Sequence, residues 1–210
     1  MSSAAPIGSP ATPGGRGPAM LSHLAYVTPD AEGTVDFYTR VMRMELVLAV
    51  MDDKVPSTGA PFPYLHIFFR LGDGSTLAFF EALGLPRRNP TPHPAYEVFD
   101  HLALQVDSVA EVDAWHEHLV AEGLDVLGPV DHKIIYSIYF RDPINDLRLE
   151  ITTPTDPEWN NRPDDAQDAL ADWIAAKKRA KDSGVDETEE LTRVIKARLN
   201  NHTAVTDEVL

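Results

Sequence analysis

The hydrophobic positions of the chain either alternate with polar positions or recur at helical spacing, and these two periods predict its strands and helices. In the first half the predicted order is β-α-β-β-β, over residues 21–27, 34–44, 44–51, 64–71 and 76–82. The same order returns in the second half, over residues 98–106, 109–122, 124–130, 134–141 and 146–152. The pattern therefore predicts two copies of one supersecondary unit.

Short sequence matches support the repeat. SHLAYVTPD at 22–30 resembles DHLALQVDS at 100–108, and VDFY at 35–38 resembles VDAW at 112–115. We expect an α+β fold of two tandem βαβββ modules, each a curved mixed sheet with its helix on the outer face. Together the two sheets are expected to form a cup.

Composition divides the chain into segments. Four prolines in the stretch GLPRRNPTPHPAYE are typical of a linker, and DDAQDALADWIAAKKRAKD has the acidic start and basic end that a helix dipole favours. The expected segments are a flexible leader (1–20), the first module (21–83), a linker (84–97), the second module (98–154) and a helical C-terminal extension (155–210).

Side chains alternate along a strand, so sequence parity predicts which face of a sheet each residue occupies. Leu24 and Leu102 belong to the apolar faces that the helices cover, which places His23 and His101 on the open faces. By the same parity, Glu150 and Glu81 on the closing strands are also expected on the open faces. Two histidines and two carboxylates therefore line the predicted cup.

This set of side chains is suited to a metal ion. A buried carboxylate without a partner is costly, and a divalent cation removes that cost while it binds neutral imidazole. His23, His101 and Glu150 have the composition of a 2-His-1-carboxylate site, which leaves positions open for substrate or oxygen. A histidine at a strand start can instead be a hydrogen-bonded structural residue, but equivalent places in both copies favour the metal site.

The composition narrows the range of partners. A formal net charge of −15 argues against nucleic acid or an anionic membrane, because the chain could not neutralise phosphates. There is no run of 18 apolar residues, so no membrane span is expected, and the lack of cysteine excludes disulfides and thiolate metal sites. A cytoplasmic location and a small-molecule substrate are expected.

SHLAYVTPD, DHLALQVDS and YFRDPINDLRLE together resemble the vicinal oxygen chelate superfamily, over residues 21 to about 153. This superfamily includes glyoxalase I, methylmalonyl-CoA epimerase, fosfomycin-resistance enzymes, bleomycin-binding proteins and type I extradiol dioxygenases. The resemblance implies paired modules around one divalent metal and favours a homodimer. It also implies that His23, His101 and Glu150 are the ligands, and that Glu81 matches a fourth ligand of glyoxalases and epimerases.

Within this resemblance we expect an Fe(II)-dependent extradiol dioxygenase, which uses dioxygen to cleave a catechol-like aromatic ring. Tyr139 resembles the catalytic tyrosine that such dioxygenases place near the substrate hydroxyl. The residues expected to bind the substrate are Phe68, Phe79, Tyr136 and Arg148. Two features depart from the pattern: Ser75 stands where dioxygenases carry an acid–base histidine, and the loop DPINDLRLE is one residue longer. The candidates to replace that base are His66, His93 and His132.

Two other functions remain open. A glyoxalase- or epimerase-like enzyme would use Zn, Ni, Mn or Co to polarise a carbonyl, while Glu81 or Glu150 moves a proton on the adjacent carbon. A binding protein of the bleomycin-resistance kind would keep the fold and abandon the metal. Glu81 favours the first alternative, whereas the retention of every ligand position argues against the second.

Overall fold

The structure is a computed structural model that describes residues 20–82 and 94–207. Nearly all of the predicted leader, and most of the predicted linker with His93, lie outside the described residues. The chain divides into two compact units. The tandem modules, up to Pro157, belong to one unit, and the C-terminal helices, from Glu158, belong to the other.

The first module has the order β-α-β-β-β. Its elements are β1 (His23–Val27), α1 (Ala31–Asp36) with a π-helical turn after it (Phe37–Val41), β2 (Glu45–Lys54), β3 (Pro61–Arg70) and β4 (Thr76–Ala82). The strand order in the sheet is β1-β4-β3-β2, with β1 parallel to β4 and the other neighbours antiparallel.

The second module repeats this topology after a short helix. Its elements are α2 (Pro94–Phe99), β5 (Leu102–Gln105), α3 (Val109–Ala121), β6 (Leu127–Asp131), β7 (Ile135–Arg141) and β8 (Arg148–Pro154). The strand order is β5-β8-β7-β6, again with one parallel pair. The prediction of a strand from residue 98 is wrong at its start, because α2 continues to Phe99. The α+β fold with two tandem modules is confirmed.

Polar side chains fix the start of α1, the helix of the first module. The side chain of Asp30 accepts a hydrogen bond from the backbone N–H of Gly33 at 3.0 Å, which caps α1. The first N–H of α1, that of Ala31, donates to Oε2 of Glu81 on β4 at 2.7 Å. A carboxylate is favoured there by the unpaired N–H groups and the helix dipole. Glu81 therefore ties α1 to the sheet.

The helix-facing sides of both sheets share one hydrophobic core. Members from both modules are fully buried: Tyr38, Phe69, Leu77, Phe79, Leu119, Ile138 and Leu149. Burial of one such aliphatic or aromatic side chain stabilises a fold by about 1.5–3 kcal/mol. The modules are therefore held together through their helix-facing sides, and the other face of each sheet lies outside this core.

A buried carboxylate adds a polar link between the modules. Asp142, in the loop between β7 and β8, is fully buried and accepts from the hydroxyl of Tyr38 at 2.9 Å. It also accepts from the side-chain amide of Asn145 at 2.7 Å and from the backbone N–H groups of Ile144 and Asn145. Burial raises the pKa of Tyr38 well above its ordinary value, and Asp142 adds to the effect.

The C-terminal unit contains two helices, α4 (Pro163–Ser183) and α5 (Glu187–Asp207). Arg198 pairs with Asp172 at 2.6 Å, and Arg179 pairs with Glu190 at 2.7 Å, so the two helices run antiparallel. Hydrogen bonds from Arg193 and Arg179 lower the pKa of Glu190 to about 2. The helical extension is confirmed. Neither these helices nor any other in the described ranges has the length and apolar character of a membrane span.

Replacing Tyr38 by Phe is expected to lower the free energy of unfolding by about 1–3 kcal/mol, because it removes one donor from the buried Asp142 carboxylate. Asp142→Ala is expected to cost more, since it leaves several buried donors without an acceptor. Urea denaturation followed by circular dichroism measures both changes. Tyr96→Phe is the matched control, because Tyr96 is half exposed. Equal losses in the two Tyr→Phe variants would contradict the role of this hydrogen bond.

Candidate metal site

The open face of each sheet is the face turned away from the common core. On the second sheet Ala103 pairs with Glu150, and Tyr139 on β7 lies directly opposite Glu150. His101 comes just before β5, and its imidazole reaches Glu150. On the first sheet His23 is the first residue of β1 and lies on the open face.

His101 and Glu150 form a close polar contact. Nε2 of His101 lies 2.8 Å from Oε2 of Glu150, and Nδ1 of His101 lies 2.8 Å from the carbonyl oxygen of Phe99. A carbonyl oxygen only accepts, so Nδ1 carries a hydrogen, and Nε2 of a neutral ring presents a lone pair. A lone pair and an ionised carboxylate repel each other at this distance. The contact therefore requires a proton or a metal cation between the two atoms.

Glu150 is held from its other side as well. The side chain is nearly fully buried, and its Oε1 accepts from the hydroxyl of Tyr139 at 3.2 Å. That hydroxyl lies 2.9 Å from Nε2 of the exposed His132, and the guanidinium of Arg148 lies 4.5 Å from the centre of the Tyr139 ring. Burial and the Glu150 carboxylate raise the pKa of Tyr139. Such partners orient a carboxylate as outer-shell groups orient metal ligands.

The first sheet places a second histidine near His23. The ring centres of His23 and His66 are 6.4 Å apart. The His66 ring lies 3.5 Å from the ring of Phe80, nearly parallel to it, and 4.0 Å from that of Phe68. Burial, followed by the charge of His23, lowers the pKa of His66 and so favours its neutral form. Nε2 of His66 is buried and has no hydrogen-bond partner among the described residues.

The histidines of the two sheets do not meet within one chain. In the described ranges, no group of three or more His, Asp or Glu side chains is arranged to hold a metal ion. The structure thus brings His101 and Glu150 together and leaves His23 on the other sheet. Two of the three predicted ligands form a half-site, and the third belongs to a separate face of the same chain.

Three residues predicted for the open faces lie on the helix-facing sides instead. Phe79 is fully buried, with its ring centre 4.9 Å from that of Tyr38. Tyr136 donates its hydroxyl to Asp113 of α3 at 3.0 Å, and Glu81 binds the start of α1. The predicted placement is wrong for all three. The reason is that the stretches TLAFFEA and IYSIYF carry apolar residues on both faces. Hydrophobicity alone therefore does not predict which of their residues face the helix.

The remaining predicted residues lie on the open faces. Phe68 lies beside His23, with ring centres 5.9 Å apart, and Arg148 lies over Tyr139. Tyr139 faces Glu150 although the loop between them is one residue longer than expected. Sequence reasoning missed Phe80, which occupies the open face in place of Phe79.

The registers of the two parallel strand pairs explain this error. Ala25 and Ala103 follow the two His-Leu starts at equivalent positions, and they pair with Ala78 and Glu150 respectively. Ala78, and not Glu81, is thus the counterpart of Glu150. Counting from the repeated His-Leu-Ala stretches does not find this alignment, because Ala25 and Ala78 are further apart in the sequence than Ala103 and Glu150 are. It is visible only in the pairing of the strands.

One curated protein is similar in sequence to this chain. A 2-epi-5-epi-valiolone epimerase from Actinomyces sp. is 31% identical to this chain over 120 residues, which cover 53% of this chain. The match covers 64% of the length of that relative, so about a third of the relative lies outside the match.

Two solved structures are similar to this chain. A glyoxylase/bleomycin resistance protein/dioxygenase domain from Frankia sp. EAN1pec superposes with a TM-score of 0.53 at 18% identity, over 66% of this chain and 99% of that chain. A fosfomycin resistance protein from Listeria monocytogenes, complexed with Mn(II) and sulfate, gives 0.45 at 23% identity, over 65% and 93% of the two chains. At these identities the likeness to the Frankia domain supports the fold alone.

A family model gives the broader assignment. The model described as Glyoxalase/Bleomycin resistance protein/Dioxygenase superfamily matches residues 20–151. This stretch contains β1, the first strand of the first module, and extends into β8, the last strand of the second. The chain therefore belongs to the Glyoxalase/Bleomycin resistance protein/Dioxygenase superfamily.

Proposed function

We propose that this chain is a metal-dependent enzyme that moves a proton at a carbon next to a carbonyl, as an epimerase does. The observation that carries the proposal is the 2.8 Å contact between Nε2 of His101 and the buried carboxylate of Glu150, which a metal cation would satisfy as well as a shared proton does. The relative with 31% identity is named an epimerase, which supports proton transfer rather than dioxygenation.

His101, Glu150 and His23 are the residues that would hold one divalent cation. When bound, such a cation polarises a substrate carbonyl and makes the adjacent C–H group more acidic. Imidazole and carboxylate donors suit Mn, Zn, Ni, Co and Fe(II), and nothing in this donor set selects iron.

Glu150 is the carboxylate in position to take the proton. Glu81, the other candidate, is engaged with the first N–H of α1 on the helix-facing side. The hydroxyl of Tyr139 contacts both Oε1 of Glu150 and Nε2 of His132, and His132 is exposed. This chain of hydrogen bonds supports a route for the proton between the site and water.

A second copy of the chain would complete the site. On the first sheet, apolar side chains around His23 and His66 are exposed on the open face: Val27, Leu48 and Val50. A contiguous apolar surface of this kind is typical of an association site. We infer a homodimer in which this face lies on the second sheet of the other copy. His23 of one copy then meets His101 and Glu150 of the other.

The second candidate is extradiol cleavage of a catechol-like ring with Fe(II) and dioxygen. It is favoured by the position of Tyr139 directly opposite Glu150. It is disfavoured by Ser75, at the place of the expected acid–base histidine, because the Ser75 hydroxyl donates to Asp73 of the β3–β4 turn at 2.6 Å. A metal-free binding protein is less favoured still, since this chain keeps His23, His101 and Glu150, the three predicted ligands.

Loading the full chain with Mn(II) is expected to give one ion per chain. His101→Ala and Glu150→Gln should each weaken binding by more than about a hundredfold, beyond the 10–100-fold typical of outer-shell partners. Isothermal titration and elemental analysis after gel filtration measure the loss. Glu81→Gln is the matched control and should keep the ion, because Glu81 caps a helix. Metal retained by Glu150→Gln, or lost by Glu81→Gln, would overturn the assignment.

Mixed dimers test the two-chain site. His23→Ala and Glu150→Ala chains should each fail to bind metal when purified alone. Co-expressed with different tags and isolated as a mixed dimer, they should bind half as much Mn(II) per dimer as the wild type. The reason is that one site of the mixed dimer keeps His23 from one chain and His101 with Glu150 from the other. A site contained within one chain predicts no metal in the mixed dimer.

The reaction class is tested with 2-epi-5-epi-valiolone in D2O. The metal-loaded protein should introduce deuterium at a carbon next to the carbonyl, detected by mass spectrometry and proton NMR. Tyr139→Phe should slow this exchange by about a hundredfold or more while metal binding persists, in the range expected for a proton-transfer group. The competing outcome is oxygen uptake with a yellow product from catechol and the Fe(II)-loaded protein, which would favour ring cleavage.

A further inference from the structure

The first sheet lacks a carboxylate at the position where the second sheet has Glu150. Ala103 pairs with Glu150, whereas its counterpart Ala25 pairs with Ala78. The methyl group of Ala78 offers no electron pair to a cation. Any further donor that the first sheet supplies beside His23 must therefore come from a neighbouring strand.

His66 on β3 is placed to supply this donor. In the register of β3 and β4, Phe68 lies opposite Ala78 and His66 lies opposite Phe80, so all four share the open face. Stacking on Phe80 at 3.5 Å and contact with Phe68 at 4.0 Å fix the plane of the His66 ring. Ring orientation fixed by packing is what a preorganised ligand needs.

The Nε2 atom of His66 is buried and has no hydrogen-bond partner in the described part of the chain. A buried nitrogen without a partner costs about 1–3 kcal/mol, and such groups are rare enough in folded proteins to need an explanation. A divalent cation is a partner that a neutral imidazole nitrogen binds well, and His23 offers a second nitrogen on the same face.

We propose that His66 is a second imidazole ligand from the first sheet. The metal centre, on which this inference rests, then takes His23 and His66 from one copy and His101 and Glu150 from the other. A metal–nitrogen distance of about 2 Å puts the ring centres of two ligands roughly 6.5 Å apart when they lie on opposite sides of the ion, and about 5 Å apart in a tetrahedral site. The observed 6.4 Å is close to the first of these values, and rotation of the exposed His23 side chain toward His66 would shorten it toward the second.

The test uses the whole 210-residue chain and Co(II) alone. X-ray absorption spectroscopy should count three imidazole ligands in the wild type and two in His66→Phe, and isothermal titration should show Co(II) affinity lowered about tenfold or more. Phe at position 66 keeps the stacking between Phe68 and Phe80, so the fold is retained. His66→Ala repeats the test without the added ring. His116→Gln, on α3, is the control and should leave both the count and the affinity unchanged.

Each outcome decides one question. An unchanged imidazole count and affinity in both His66 variants, while His101→Ala loses Co(II), would overturn the role of His66 and leave the proposed metal centre standing. A wild-type protein that binds no Co(II) would overturn the metal centre itself, and this inference with it. Loss of one imidazole in both His66 variants, with His116→Gln unaffected, supports the proposal.

Discussion

The buried carboxylate of Asp142 constrains how the two modules meet, in addition to the hydrophobic core that they share. A carboxylate without solvent is tolerated only when its oxygens are fully hydrogen-bonded, and here one donor, the Tyr38 hydroxyl, comes from the other module. The remaining donors come from the loop that leads into β8. The same loop sets where β8 begins, and hence which residue of β8 faces His101. The loop that contains Asp142 therefore affects both the contact between the modules and the position of Glu150 in the site.

The sequence predicts the fold well and the site in part, for reasons that lie in particular strands. Strand–helix alternation and the repeated His-Leu-Ala were enough to predict both modules. In the stretch RLEI, polar and apolar residues alternate strictly, and this alternation predicted the correct face for Glu150. β4 carries apolar residues on both faces, so Phe79 was assigned to the wrong face. Glu81 had a competing partner, the start of α1, that only tertiary structure brings within reach. The separation of His23 from His101 is likewise a tertiary property, because the sequence pattern of a single strand does not predict which sheet faces lie close together.

The open faces of the two sheets have the same strand topology but carry different kinds of side chain. The first carries imidazole and aromatic or aliphatic groups, including Phe68 and Phe80. The second carries a carboxylate, a guanidinium and hydroxyls, with Glu150 and Tyr139 in contact. In the proposed dimer each site would have one apolar wall and one polar wall. A substrate suited to it presents a carbonyl or hydroxyl edge to the polar wall and a flat apolar face to the rings.

Cation binding and association are linked if the site is formed by two chains. In a single chain the His101–Glu150 contact needs a proton or a metal cation, and apolar side chains on the face around His66 are exposed to water. Bringing the two faces together buries the apolar surface and delivers His23 to the same ion. An ion that binds the dimer more tightly than the single chain stabilises the dimer by the same factor, because linkage is reciprocal. The buried carboxylate of Glu150 then acts in assembly as well as in chemistry, since its charge is compensated fully only in the complete site.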